Sequence, residues 1–142
     1  MQPDLSRFLN AQNHTYRHAL EEVRSGKKTS HWMWYIFPQL RGLGHSETAQ
    51  LFAIRDLKEA RAYLDHPVLG PNLIEISTEL LQLKDKSARE IFGATDELKL
   101  RSCMTLFAGI ENSDPIFEKV LDKYFDGTKD PLTLQLLEGS SS

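Results

Sequence analysis

The residues best suited to chemistry lie together in one short segment, residues 30–46. The run SHWMWYIFPQLRGLG at 30–44 contains both tryptophans of the protein. Aromatic side chains with polar tips, next to a turn rich in glycine, are typical of ligand pockets. A hydrophobic core can use the same rings, but it does not need His31, Gln39 and Arg41 beside them. The segment is therefore the predicted location of a binding site.

Different residues of this segment suit different parts of a ligand. Trp32 or Trp34 can stack on a planar group such as a base, because an indole ring offers a large apolar face. Arg41 can pair with a phosphate or carboxylate, and the backbone N–H groups at 42–44 can donate to the same anion. The predicted ligand-binding residues are Trp32, Trp34, Tyr35, Gln39, Arg41, Gly42, Gly44, Ser46 and Ser102. The simpler interpretation is that the rings belong to the core and that Arg41 is solvated.

Two residues, His31 and Lys99, are candidates for moving a proton. Imidazole titrates near neutral pH, and aromatic surroundings can tune it. Lys99 lies on a polar stripe with Asp96 and Ser102, spaced three residues apart on one predicted helix face. Such a stripe is usually solvated, so it bears on the site only if it faces the aromatic segment.

The other reactive side chains give weaker signals. His14 and His18 have the i, i+4 spacing of helical metal ligands, but they lack the adjacent glutamate of an HExxH motif. The sequence therefore predicts no metal and no cofactor. Cys103 lies among apolar residues at helical spacing, so we predict a buried and unreactive thiol.

Composition and charge exclude several classes of protein. A formal net charge of −3 does not attract nucleic acid, so no general nucleic-acid binding is predicted. The single cysteine can form no intrachain disulfide, which favours a reducing compartment. The chain shows no signal peptide and no apolar run of the roughly 18 residues that a membrane span needs. We expect a cytoplasmic protein without a membrane partner, and the sequence leaves its oligomeric state open.

The spacing of apolar residues predicts an all-α fold. We expect one compact domain of six or seven short helices at 1–137, followed by a frayed tail at 138–142. The segment 31–54 is predicted to be irregular or briefly extended. The spacing of His31, Trp34, Tyr35 and Pro38 also suits a short helix, and Pro38 ends regular structure.

Capping residues mark several helix boundaries. Ser87 begins a capping box, and Gly26 is a stop signal for the first helix. The apolar stripe at 114–125 is predicted to lie in the core. Three charged residues of the first helix are expected to face water, namely Glu21, Glu22 and Arg24.

The chain resembles the domain of unknown function 1810 family, small proteins found mainly in bacteria. The resemblance rests on the run HWMWYIFPQLRGLG at 31–44 and on shorter motifs elsewhere. These are DLSRF at 4–8, HPVLG at 66–70, IFG at 91–93, KLRS at 99–102, MTLF at 104–107 and YFDG at 124–127. The resemblance implies a compact, mostly helical single domain and no established activity. The longest run coincides with the candidate pocket, which favours a functional site there.

These observations predict a domain that binds a small anionic aromatic ligand, such as a nucleotide or an ADP-ribose-like molecule. Hydrolysis of that ligand would need only a positioned water and a base, and the sequence leaves open whether the protein is an enzyme. The alternative is a protein–protein interaction module that uses the Trp-rich segment as its anchor. A pocket holding His31, Arg41 and Lys99 together would favour the ligand, whereas a flat exposed tryptophan patch would favour the partner. Fully buried tryptophans with a distant Arg41 would favour neither.

Overall fold

The computed structural model of the protein describes residues 4–140, and these form eight helices. They are α1 (Ser6–Ser25), α2 (Met33–Ile36), α3 (Glu47–Leu51), α4 (Leu57–Asp65), α5 (Leu69–Gln82), α6 (Ala88–Ala108), α7 (Ile116–Phe125) and α8 (Pro131–Ser140). The structure is 68% helical and has no strand within residues 4–140, so the predicted all-α class is confirmed. The number of helices exceeds the predicted six or seven because α2 and α3 form within residues 31–54.

Helix α1 begins and ends at residues that cap it. The Asp4 carboxylate accepts a hydrogen bond from the Ser6 N–H at 2.9 Å. At the other end, Gly26 has a φ of 82° and donates to the Val23 carbonyl oxygen at 2.9 Å. Glycine adopts this left-handed conformation without steric cost, so it ends the helix as predicted.

The core is built around α6 and α7. Phe107 and Phe117 are both fully buried, with ring centroids 5.6 Å apart. The stripe predicted for 114–125 lies in the core, where its buried members are Ile116, Phe117, Val120 and Leu121. Cys103 is fully buried as well, and burial raises the pKa of its thiol well above the usual value. The predicted burial of Cys103 is therefore confirmed, and its raised pKa favours the protonated thiol.

Helices α4 and α5 meet at a corner that requires glycine. A Cβ atom at Gly70 would lie 1.9 Å from the carbonyl oxygen of Leu64, which is far inside van der Waals contact. His66 supports the same corner, because its Nδ1 accepts from the N–H of Val68 at 3.0 Å. The HPVLG motif thus has a structural explanation.

The segment 31–54 combines two one-turn helices with a single parallel bridge between Leu40 and Ile54. The Ile54 N–H donates to the Gln39 carbonyl oxygen, and the Arg41 N–H donates to the Ile54 carbonyl oxygen, both at 2.8 Å. This bridge holds the loop after α2 against the residues that follow α3. The predicted irregular segment is therefore ordered by contacts between its own two halves.

Helix α6 is kinked at Gly93, whose φ of 88° and ψ of 164° are not helical. Its first part begins with the predicted capping box, in which Ser87 and Glu90 each accept from the other's backbone N–H, at 3.0 and 2.8 Å. The kink changes the direction of the chain before Asp96 and Lys99, which face the aromatic segment.

Helix α8 extends through Ser140, so residues 138–140 of the predicted tail are helical, while 141–142 lie outside the described residues. Residues 1–3 of the predicted domain lie outside them too. Within the described part of the chain, every helix is too short or too polar to cross a bilayer.

Candidate functional site

The candidate site is a cleft between the aromatic segment and the second part of α6, called the aromatic cleft below. Its volume is about 270 Å³. It is lined by Lys28, His31, Trp32, Met33, Trp34, Tyr35, Ser46, Thr48, Asp96 and Lys99. The structure thus brings together six of the predicted site residues: His31, Trp32, Trp34, Tyr35, Ser46 and Lys99.

Asp96 lies between two lysines at the centre of the cleft. Its Oδ2 atom is 2.9 Å from Lys28 Nζ, and its Oδ1 atom is 3.0 Å from Lys99 Nζ. Burial by itself would raise the pKa of Asp96, but hydrogen bonds from Lys28 and Lys99 outweigh it, and the net shift is downward. Asp96 is therefore ionised at neutral pH.

Both lysines have further contacts that fix their ammonium groups. Lys28 Nζ also donates to the Ser30 carbonyl oxygen at 2.6 Å and lies 5.0 Å from the centroid of the Trp32 ring. Lys99 Nζ lies 4.2 Å from the centroid of the Trp34 ring. An ammonium group has three N–H donors, so each lysine keeps donor capacity for another acceptor. Two positive charges and one negative charge leave this cluster with a net charge of +1.

Trp32 is a core residue with one edge at the cleft. It is 1% exposed, and its ring centroid lies 6.2 Å from that of Phe37 and 6.4 Å from that of Phe92. Its indole Nε1 donates to Glu22 Oε1 at 3.0 Å. No face of this ring is open for the stacking role that the sequence predicts, so its contribution to the site is structural.

Glu22 organises the start of the aromatic segment. Its carboxylate accepts from the N–H groups of Thr29 and Ser30 at 2.7 and 3.0 Å, and from Trp32 as described. Burial by itself would raise the pKa of Glu22. The hydrogen bonds from Ser30, Thr29 and Trp32 outweigh this effect and lower the pKa to about 2. The expectation that Glu22 faces water is wrong, because this residue is 7% exposed.

His18 joins the same network without forming a catalytic triad. Its Nε2 lies 2.7 Å from Glu22 Oε2 and 3.0 Å from Ser30 Oγ. A triad histidine uses one ring nitrogen for the acid and the other for the nucleophile, whereas here one nitrogen meets both. The Ser30 hydroxyl donates to Glu22 Oε2 at 2.6 Å, so it is a structural group.

Trp34 is half-buried and is packed between α6 and the loop at residues 42–44. Lys99 covers a face of its ring, and the outer edge of the ring lies against Gly44. A Cβ at Gly44 would lie 2.9 Å from Trp34 Cη2 and 2.6 Å from the Cβ of Ala49. Gly44 is therefore needed for close packing, which differs from its predicted role as an anion-binding amide.

Five predicted residues do not line the aromatic cleft, namely Gly44, described above, and Gln39, Arg41, Gly42 and Ser102. Arg41 is exposed and lines a different recess. Gln39 is 5% exposed, and its Nε2 has no hydrogen-bond partner within residues 4–140.

Gly42 faces α8, since a Cβ there would lie 3.3 Å from Leu136 Cδ1. Ser102 donates to the Leu98 carbonyl oxygen and to Asp130, at 3.1 and 3.2 Å.

Lys28, Asp96 and Thr48 line the cleft but were not among the predicted site residues. The Asp96–Lys99 spacing was a usable signal, because it places both on one helix face, and the structure turns that face towards the aromatic segment. Ser102 of the same stripe points elsewhere. No local pattern could have identified Lys28, which precedes the segment and meets Asp96 only through folding.

The described residues contain no group of three or more His, Cys, Asp or Glu side chains arranged to hold a metal ion. His14 is exposed, and His18 is engaged with Glu22, so the two do not act as a ligand pair.

Comparisons with known proteins agree with this fold. A family model described as a protein of unknown function (DUF1810) matches residues 2–137. The chain is also similar to the conserved hypothetical protein Rv1873 from Mycobacterium tuberculosis, whose crystal structure is known, with 48% sequence identity and a TM-score of 0.93. That similarity covers 95% of this chain and 96% of the other. A search of the curated proteins gives no match.

Proposed function

The chain belongs to the DUF1810 family of proteins of unknown function, and we propose that its aromatic cleft binds the anionic end of a small ligand. The ligand class is a nucleotide or an ADP-ribose-like molecule. Ligand pockets usually enclose about 300–1,000 Å³. With about 270 Å³, the cleft would hold the phosphate-bearing part of such a molecule and leave the rest outside.

The observation that carries this proposal is the convergence of Lys28 and Lys99 on Asp96. The two ammonium groups are held by the carboxylate, yet both keep N–H groups that an anion can accept from. The cluster is only partly exposed, so its net positive charge is less screened than that of a surface lysine. Ser46 and Thr48, which carry hydroxyl groups, also line the cleft.

Any proton transfer in the cleft would fall to His31. Its side chain is exposed at the rim, within the same cleft as Lys99. Asp96 is a poor base because its lowered pKa means that the carboxylate binds a proton only weakly, and its oxygens already accept from the two lysines. If the bound ligand is hydrolysed, His31 would therefore accept the proton of the attacking water.

The interaction-module alternative has less support. Its anchor would be an exposed tryptophan, but Trp32 is 1% exposed and Trp34 is covered by Lys99 and Gly44. The ligand hypothesis predicted a pocket that holds His31, Arg41 and Lys99 together, but Arg41 does not line the cleft that contains the other two. In this proposal Lys28 and Lys99 bind the anion that was predicted to pair with Arg41.

A thermal-shift titration tests the proposal. AMP, ADP-ribose and ribose 5-phosphate are the charged probes, and adenosine is the uncharged control. A ligand at about 100 times its dissociation constant stabilises the native state by about 2.7 kcal/mol, which is easily measured. We expect a shift with at least one charged probe and none with adenosine.

The Lys99→Met variant separates anion binding from non-specific effects. It removes the charge but keeps most of the side chain over Trp34, so we expect at least a roughly tenfold weaker affinity for the charged probe. Lys119→Met is the matched control, because Lys119 is an exposed lysine on α7 outside the cleft. Equal affinity of Lys99→Met and the parent, or a shift with adenosine alone, would contradict the proposal.

A further inference from the structure

We propose that Arg41 and Arg55 form a second, separate site, which binds the phosphate group of a small molecule. The site is a recess of about 400 Å³ beside the parallel bridge. It shares no lining residue with the aromatic cleft. The proposal therefore does not depend on the function proposed for that cleft.

The parallel bridge brings the two arginines to the same recess. Leu40 pairs with Ile54, and both side chains are buried, at 3% and 0% exposure. Arg41 and Arg55 directly follow these two residues in the chain. Unlike them, both arginines are exposed, and both line the recess.

Neither guanidinium group is used within the protein. Both arginines are exposed, and within residues 4–140 their side chains have no hydrogen bond or ion pair. Arg7, the third arginine of the recess, differs. Its guanidinium donates to the carbonyl oxygens of Leu51, Asp4 and Ala53 at 2.8, 2.8 and 2.9 Å. Arg7 thus builds the floor of the recess, while Arg41 and Arg55 keep their donors free.

The charges around the recess favour an anion. Glu59 Oε1 lies 2.9 Å from Arg7 NH2 and neutralises that arginine. Asp4 is the remaining carboxylate of the recess, and its Oδ1 already accepts from Ser6. Arg41 and Arg55 together outweigh Asp4 by one positive charge. Two like charges held in register repel each other, and a bound dianion would remove that repulsion.

The guanidinium geometry points to phosphate as the group recognised. Each guanidinium is a planar fork that pairs two N–H groups with two oxygens of a phosphate or carboxylate, which an ammonium cannot reproduce. Two adjacent forks match a phosphomonoester dianion better than a single carboxylate. The formal net charge of −3 disfavours a long polyanion such as nucleic acid, so the occupant is a small phosphorylated molecule.

Amide NMR titration with inorganic phosphate tests this site, with sodium chloride added to keep the ionic strength constant. We expect saturable shifts of the amides of Arg41 and Arg55. Arg41→Gln and Arg55→Gln should each weaken binding by at least roughly tenfold, and Arg41→Lys should restore only part of it. Arg17→Gln is the matched control, because Arg17 is exposed on α1 outside the recess.

Specific results would overturn the proposal. One is the absence of saturable amide shifts at Arg41 and Arg55 up to about 20 mM phosphate, because a dissociation constant above that concentration is too weak for a specific site. Another is unchanged affinity in both glutamine variants. Shifts confined to Lys28 and Lys99 would assign the phosphate to the aromatic cleft instead. Lys99→Met should bind phosphate at the arginine pair as the parent does, even if it loses the ligand of the cleft.

Discussion

Glu22 shows how one buried carboxylate can fix a functional segment. It accepts from Thr29, Ser30 and Trp32 and so ties the end of α1 to the residues that lead into the aromatic cleft. The pKa of Glu22 is about 2 in the folded protein, against an ordinary value of 4.5. Because the folded pKa is lowered, Glu22 stabilises the fold above its unfolded pKa, and this stabilisation is lost as the pH falls from 4.5 towards 2.

We therefore expect Glu22→Gln to destabilise the protein at neutral pH by about 2–3 kcal/mol, since hydrogen bonds to a charged acceptor are the stronger ones. Urea denaturation over a range of pH measures the effect. The difference from the parent should shrink as the pH falls below 4.5, because the parent's carboxylate becomes protonated.

Glu21→Gln is the control for this experiment, because Glu21 is the exposed neighbour of Glu22 on the same helix. We expect a change within about 0.5 kcal/mol for it. A similarly small change for Glu22→Gln at neutral pH would show that the hydrogen bonds to Glu22 do not stabilise the segment.

Among the secondary-structure elements, the approach of the loop before α3 to α2 depends on Gly44. Gly44→Ala would place a Cβ 2.6 Å from that of Ala49 and 2.9 Å from Trp34 Cη2. We expect a loss of roughly 1–3 kcal/mol from overpacking, together with a changed fluorescence spectrum of Trp34. Gly139→Ala is the control, since a Cβ at Gly139 would meet no atom within 4 Å and alanine favours the helix. Equal stability of the two variants would show that the loop gives way without cost.

The packing of helix α7 against α6 gives a second prediction about the secondary-structure elements. Phe117 is fully buried and contacts the Phe107 ring of α6, so Phe117→Ala removes a large apolar side chain from the junction of these helices. We expect a destabilisation of about 3–5 kcal/mol in urea denaturation. A loss below about 1 kcal/mol would mean that the stripe of α7 lies at the surface.

At the scale of the whole molecule, one continuous core predicts one unfolding transition. The buried residues of α1, α2 and the helices from α4 to α7 belong to a single hydrophobic cluster. Single domains of this size usually unfold in one cooperative step. Tryptophan fluorescence, which reports on the segment around α2, and far-ultraviolet circular dichroism, which reports on all helices, should therefore give coincident urea curves. Two separated midpoints would show that the aromatic segment unfolds independently of the helices.

The positions of the main helices could be read from the sequence because the signals are local. A helix joins residues three and four apart, so its apolar stripe and its caps lie within a few residues of each other. The stop at Gly26, the capping box at Ser87 and the core stripe of α7 are each where these rules place them. The same rules left a short helix at α2 as one of several interpretations and did not predict α3, since one turn is too short to establish a period.

The composition of the candidate site was decided by the tertiary structure. Lys28 and Asp96 are far apart in the sequence but form an ion pair in the folded protein. Arg41 is close in sequence to Trp34, but the bridge between Leu40 and Ile54 places it at another recess. The sequence determined that aromatic, cationic and titratable side chains would be concentrated near α2. Only folding decided which of them share a cleft, because the direction of each side chain depends on contacts with residues far away in the sequence.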